Sequence, residues 1–277
     1  MAIEHPVVFD VCGDAVLGVL HQAGATARLG VVVIVGGPQY RVGSHRQFLI
    51  LARELCAAGI DVLRFDCRGM GDSAGEPRTF EDIDADIRAA VDEICRRRPS
   101  LQHLSLLGLC DGATAALIYA PSDARVRSLV MINPWARSDR SHAQVTLRSY
   151  YVRRLLSRDF WRKLLRGHVA VGKSVADAAQ TARAARATAD GPAYLALLDR
   201  AVRAYHGAIL LLLSGNDLTA DEFARWVDTD SARNSLFRRE SVRRLSVGEA
   251  NHTFSSARLR KILFTHVVQF LRGQADG

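Results

Sequence analysis

Residues 104–116 read Leu104-Ser105-Leu106-Leu107-Gly108-Leu109-Cys110-Asp111-Gly112-Ala113-Thr114-Ala115-Ala116. The first half is an apolar run short enough for a buried strand. The second half is built from small residues that suit a helix, and the two meet at Gly-x-Cys-x-Gly. So sharp a passage from strand to helix puts its central residue in a strained backbone conformation, and the flanking glycines leave the room that β-carbons would take. Cys110, at the apex, then projects above the sheet at a helix amino terminus, whose partial positive charge favours a thiolate. A cysteine so placed is a candidate nucleophile, with a nearby histidine to hold its proton. Two considerations favour a structural cysteine instead. Buried cysteine is usually an inert small hydrophobe, and the Asp111 charge opposes thiolate formation if it points inward. Cys12, Cys56, Cys67 and Cys95 occupy no comparable turn and are read as structural.

Apolar β-branched runs recur on both sides of this stretch, at residues 29–35, 60–65, 104–107, 126–132, 208–213 and 242–247, with helical stretches between them. That alternation predicts an α/β fold with a mostly parallel sheet covered on both faces. Residues 7–11 and 15–21 flank the turn-forming Cys12-Gly13-Asp14, which adds an antiparallel hairpin at the sheet edge and brings the strands to eight. Helices are expected over residues 45–58, closed by Gly59, over 79–97, stopped before Pro99, and over 255–271, stopped before Gly273. Thr79-Phe80-Glu81-Asp82 resembles a capping box with aspartate at its end. Between Pro134 and Gly207 the strand rhythm disappears, and Ala, Leu and Arg dominate residues 147–165, 175–189 and 193–204. This reads as a helical cap over 135–206, inserted into a core made of 1–134 and 207–277.

A chain of 277 residues, 48% hydrophobic and 24% charged, has the balance of an ordinary globular protein. Its start lacks the basic and apolar stretches of a secretory signal, and its apolar runs are far shorter than the roughly 20 residues that cross a bilayer. Five cysteines without a C-x-x-C pair suit neither a disulfide framework nor a zinc site. We therefore expect no metal, no cofactor, no transmembrane segment and a reducing, cytoplasmic setting. The formal charge of +8 is uneven: residues 136–206 hold 14 Lys and Arg against 5 Asp and Glu. Within them Tyr151 and Leu155 can face inward together, while cations such as Arg153 and Arg154 either stay solvated or attract an anionic substrate, an acidic partner or an anionic membrane face. No G-x-G-x-x-G follows the first strand, and no recognition motif accompanies the basic surplus, so neither a dinucleotide nor nucleic acid is an expected ligand.

Taken together, the 104–116 stretch, Phe65-Asp66-Cys67-Arg68-Gly69-Met70-Gly71-Asp72-Ser73 and Val35-Gly36-Gly37-Pro38 resemble α/β-hydrolases of the serine-aminopeptidase and lysophospholipase type, across nearly the whole chain. More narrowly, Gly36-Gly37-Pro38-Gln39-Tyr40-Arg41-Val42-Gly43-Ser44-His45-Arg46 and Gly248-Glu249-Ala250-Asn251-His252-Thr253-Phe254 resemble the hydrolases associated with exosortase A loci, encoded among exopolysaccharide genes. Those proteins likewise carry cysteine where serine is usual.

The resemblance implies the α/β-hydrolase fold and its chain order, in which an acid follows a late strand and a histidine the last one. Asp217, after the strand ending near Leu213, stands where the orienting carboxylate belongs, with Asp221 in reserve; an Asx turn or helix cap also explains either residue. His252, after the strand ending near Val247, is the expected base. It would take the Cys110 proton, or pair with the thiolate as imidazolium. The oxyanion hole should use the Asp111 amide and a second amide after Val35; Pro38 has no N–H, which favours Gln39. Tyr40, Arg41 and His45 could contact substrate, although a turn and a helix start account for them as well. Asp66, Arg68, Gly69, Gly71 and Asp72 are read as structural, with Arg68 and Asp72 able to pair or to satisfy loop carbonyls.

The function these residues point to is hydrolysis of a carboxylic ester or thioester through an acyl-cysteine. The substrate would be a small-molecule or carrier-bound acyl compound, anionic if the basic segment draws it in. Acyl transfer by the same triad and a non-catalytic binding protein that kept the fold are the alternatives.

Overall fold

The computed structural model describes residues 3–37, 39–137 and 193–274, and elements are numbered within them. One eight-stranded sheet comprises β1 (Ile3–Val11), β2 (Asp14–Gln22), β3 (Leu29–Ile34), β4 (Ile60–Phe65), β5 (His103–Leu109), β6 (Val126–Ile132), β7 (Ala208–Ser214) and β8 (Val242–Val247). Their spatial order is β1-β2-β4-β3-β5-β6-β7-β8. The β1–β2 and β2–β4 pairs are antiparallel and the rest parallel. The hairpin turns at Cys12 and Gly13, whose φ angles of 56° and 92° give a turn matched to the strand twist.

Alternation along each strand splits the core in two. On one face Val31, Val33 and Leu107 pack against Phe48, Leu51 and Leu55 of α1 (Gln47–Ala57) and Leu263 and Val267 of α7 (Ala257–Gly273). On the other, Val32, Leu106 and Leu129 meet α2 (Asp84–Arg97), α3 (Asp111–Tyr119), α4 (Ala193–Ala204) and α5 (Leu218–Asp228), followed by the short α6 (Ser231–Leu236). The carboxyl ends of the six parallel strands, β3 to β8, lie along one edge of the sheet, where ligand sites of α/β sheets form.

β4 is buried along its whole length yet carries two charges, and both are partnered. Asp61 accepts the Ala23 N–H at 2.8 Å and pairs with Arg98. Arg64 donates to His21 Nε2 at 3.0 Å and to the Arg41 carbonyl at 2.7 Å. Burial, with Arg64 alongside, pushes the His21 pKa down to about 4 and keeps the ring neutral.

Several boundaries differ from the expectations above. The helix expected from residue 45 starts at Gln47, because His45 and Arg46 have φ of 53° and 59°, outside the right-handed helical region. The helix expected from residue 79 starts at Asp84, with Ile83 at its cap and no side-chain cap bond. The Thr79–Asp82 stretch forms a turn instead, Asp82 N–H to the Thr79 carbonyl at 3.0 Å, and Phe80 lies edge-on to Tyr194 at 5.1 Å. Arg68 pairs with buried Asp86 at 2.9 Å and Asp72 pairs with Arg41 at 2.7 Å, so of the two roles open to Arg68 and Asp72 the mutual pair does not form.

The stretch 193–204, assigned to the cap by its composition, packs in the core layer as α4, with Leu198, Ala201 and Val202 in the apolar cluster beside α3. Tyr194 Oη donates to the Arg137 carbonyl at 2.6 Å and accepts the Arg137 N–H at 2.7 Å, which holds together the two ends of the chain flanking residues 138–192. The helices expected over 147–165 and 175–189, with Tyr151, Arg153, Arg154 and Leu155, lie outside the described residues.

Candidate active site

Cys110 sits at the junction of β5 and α3 with φ 60° and ψ −128°, a conformation sparsely populated by non-glycine residues. Close packing holds it there. A β-carbon at Gly112 would come within 2.6 Å of the Ile34 carbonyl oxygen, so only glycine lets the β3 end approach the elbow this closely. The Cys110 N–H donates to the Ile132 carbonyl at 2.9 Å, and its own carbonyl accepts the Ala113 N–H at 3.1 Å, tying it to β6 and to the first turn of α3.

His252 follows β8 in a loop whose return to helix is capped by Ser256, which accepts the Leu259 N–H at 3.2 Å. Its Nδ1 lies 2.7 Å from Asp217 Oδ2, and Cys110 lies close enough to raise the pKa of the ring. Asp217 Oδ1 accepts the Thr219 N–H at 3.2 Å, so one carboxylate both caps α5 and orients the histidine. Asp221, one turn further along α5, is exposed, with its N–H on the Asp217 carbonyl at 3.2 Å. The structure thus brings Cys110, His252 and Asp217 into one chain of contacts, with Asp217 as the carboxylate at the ring.

The Asp217 carboxylate, foremost, and then Cys110 raise the His252 pKa to about 10 against the opposing effect of burial. The ring is therefore an imidazolium at neutral pH.

The other expected site residues fare differently. Asp111 provides the first amide of α3, next to Cys110. The Gln39 N–H, expected as the second oxyanion donor, donates to the Gly37 carbonyl at 2.8 Å, which occupies it in a tight turn. Its side-chain oxygen accepts from Ser44. Arg41, expected at the substrate, is committed to Asp66 and Asp72 and lies beside the Tyr40 ring; Tyr40 itself is exposed.

A polar cluster absent from the sequence reading supports the histidine. Buried Asn133, at φ 44° after β6, donates through Nδ2 to the His252 carbonyl at 2.9 Å and to Ser214 Oγ at 2.8 Å, while its Oδ1 accepts the Ser214 N–H at 2.7 Å. Ser214 Oγ in turn donates to the Asn251 carbonyl at 2.9 Å. The only signal in the sequence is an Asn-Pro pair at the end of a buried strand, a combination common in turns. Asn133→Ala should cost roughly 1–3 kcal/mol by leaving buried partners unpaired, and should lower activity by loosening the His252 loop. Denaturant unfolding and turnover measured together check both effects.

Among the described residues, no group of three His, Cys, Asp or Glu side chains is arranged to hold a metal ion, and no helix is long and apolar enough to cross a membrane.

An eight-stranded, mostly parallel sheet with a strained residue at the β5–α3 junction and a histidine–carboxylate pair after β8 and β7 defines the α/β-hydrolase class. The family model described as alpha/beta hydrolase family matches residues 31–256, and the chain belongs to that family. No curated protein matches it. Among solved structures, an esterase of Pyrococcus furiosus is 16% identical with a TM-score of 0.68, covering 98% of this chain and 92% of that one. Est1E from Butyrivibrio proteoclasticus, determined with ferulic acid bound, is 12% identical with a TM-score of 0.64, over 98% and 100% of the two chains. Dienelactone hydrolase from Anabaena variabilis is 15% identical with a TM-score of 0.63, over 98% of each chain. At these identities the likeness is one of fold.

Proposed function

We propose that the protein hydrolyses a carboxylic ester or thioester through an acyl-cysteine on Cys110. The observation that carries this reading is the contact chain from Asp217 through His252 to Cys110 at the end of a strained elbow. The Cys110 thiolate attacks the substrate carbonyl carbon, and the oxygen takes the negative charge beside the Asp111 amide. Collapse of the tetrahedral adduct breaks the bond to the leaving oxygen or sulfur, which receives the proton from the His252 imidazolium. His252, now neutral, takes a proton from water as the hydroxide adds to the acyl-cysteine. Loss of the thiolate then releases the acid, with the imidazolium restored for the next cycle. Asp217 keeps the ring in the tautomer and orientation that both halves need.

Two of the fold neighbours bear esterase and lactone hydrolase names, which supports ester chemistry for this chain as well. The motifs at Gly36 to Arg46 and Gly248 to Phe254 support a narrower setting in exopolysaccharide biosynthesis, with a small-molecule or carrier-bound acyl substrate. The segment 138–192 is proposed as the cap, its arginines attracting an anionic leaving portion.

Substoichiometric labelling with an electrophilic thiol probe tests the mechanism. Peptide mapping should find Cys110 modified well ahead of Cys12, which is exposed, and of Cys95, whose thiol burial raises toward the unreactive form. Preferential labelling of Cys12 would overturn the reading. Product analysis with and without an added amine or thiol acceptor then separates hydrolysis from acyl transfer.

A further inference from the structure

The residue after the nucleophile carries a carboxyl group that the reaction above leaves idle. Asp111 Oδ1 accepts the Gly112 N–H at 3.0 Å. It lies directly against Gly36, where a β-carbon would collide with Oδ1. A carboxylate has roughly four acceptor positions, so the Gly112 N–H alone leaves Asp111 capacity for a further donor.

Asp111 lines a cleft of about 350 Å³ beneath the β4–α2 connection, together with Val35, Cys67, Met70, Phe80 and Ile83. Cys67 and Ile83 are buried, Met70 and Phe80 half-buried, so the wall is apolar. At the exposed rim Arg78 is paired with Asp82 at 2.8 Å, and Glu81 adds a second carboxylate to the lining. The volume is at the small end of the range for small-molecule sites, right for an acyl side chain and too small for a whole carrier-bound substrate.

We propose that this cleft takes the acyl portion of the substrate and that Asp111 selects acyl groups ending in a hydrogen-bond donor, either a hydroxyl or an ammonium. A plain alkyl tail would desolvate the Asp111 carboxylate further without supplying a donor, and an anionic tail would meet like charge. Desolvation already raises the Asp111 pKa against the help of its amide donors, so a further donor relieves a group that the protein alone leaves under-solvated. Any anionic feature of the substrate then belongs to the leaving portion, outside the cleft. The link of this cleft to catalysis rests on the acyl-cysteine reading, because Asp111, which lines the cleft, directly follows Cys110 in the chain.

Binding and turnover test the two separately. In the Cys110→Ala protein, calorimetry with N-methylheptanamide, N-methyl-6-hydroxyhexanamide and N-methyl-6-aminohexanamide should show the two donor-bearing amides bound about tenfold or more tightly than the alkyl one. Asp111→Leu should reverse that order. Asp111→Asn should keep the preference for hydroxyl, whose donor the amide oxygen still accepts, and lose that for ammonium. Met70→Trp, which fills the cleft, should weaken all three. Equal binding of the three amides, no binding at all, or an order unchanged by Asp111→Asn and by Asp111→Leu overturns the selection by Asp111. Nitrophenyl esters of the same acyl groups form the second arm with the wild-type protein. Donor-selective binding without turnover of any ester would leave the cleft assignment standing and overturn the acyl-cysteine mechanism. Turnover without donor preference would do the opposite.

Discussion

Cys110→Ala should remove turnover of activated esters and thioesters, on the order of 10⁴-fold or more, with the fold retained. The side chain is half-buried at a helix amino terminus, and its main structural burden, the strained backbone, is held by glycine contacts and by the Ile132 and Ala113 hydrogen bonds, all of which survive the substitution. Cys110→Ser is the sharper variant. A serine hydroxyl attacks only after a neutral imidazole removes its proton, whereas His252 is held protonated up to about pH 10. Losing the Cys110 contribution lowers that value, but the Asp217 carboxylate, the larger cause, stays in place. Cys110→Ser should therefore fold normally and lose most activity at neutral pH, on the order of 10²-fold or more. Steady-state kinetics with circular dichroism and unfolding curves as fold controls check this pair. Undiminished turnover in Cys110→Ala would remove the cysteine from the mechanism.

Much of this was readable because the informative residues sit where local geometry leaves few choices. Gly108, Cys110 and Gly112 announce the elbow, since a strand that turns at once into a helix needs small residues at those positions. Asp217 and His252 could be placed by order along the chain once the strands were counted, because each follows a strand whose end lies at the active-site edge. What escaped depends on distant partners. Nothing local tells Arg68 to choose Asp86 over Asp72, a choice made by the packing of α2 against the sheet. Thr79 has the chemistry of a cap, yet Phe80 is drawn onto the Tyr194 ring and the helix starts later. Gln39 was favoured by eliminating its proline neighbour, but a turn within the same loop takes up its amide. Asn133 is invisible as a supporting residue until β6, β7 and the His252 loop are brought together.

Asp217→Asn separates the electrostatic role of Asp217 from its structural one. Asparagine is as good a helix cap as aspartate, so α5 should keep its start. The amide has a single acceptor oxygen, which cannot serve the Thr219 N–H and the His252 ring as the two carboxylate oxygens do. With the charge gone, the largest cause raising the His252 pKa disappears, while burial continues to lower it. The wild-type alkaline limb of kcat/KM should lie near pH 10, where the imidazolium that protonates the leaving group is lost. In Asp217→Asn that limb should move down toward neutrality, and kcat should fall on the order of 10²-fold. Stability carries the same sign. A histidine whose folded pKa exceeds its unfolded value of about 6.5 stabilises the fold fully below that pH, and the contribution fades as pH rises toward 10. The wild type should therefore exceed Asp217→Asn in stability most clearly near pH 6, with the gap narrowing by pH 10. Asp221→Asn, at the exposed carboxylate one turn along the helix, should leave both the limb and the gap near wild type. An alkaline limb that moves in Asp221→Asn and stays in place in Asp217→Asn would transfer the orienting role to Asp221.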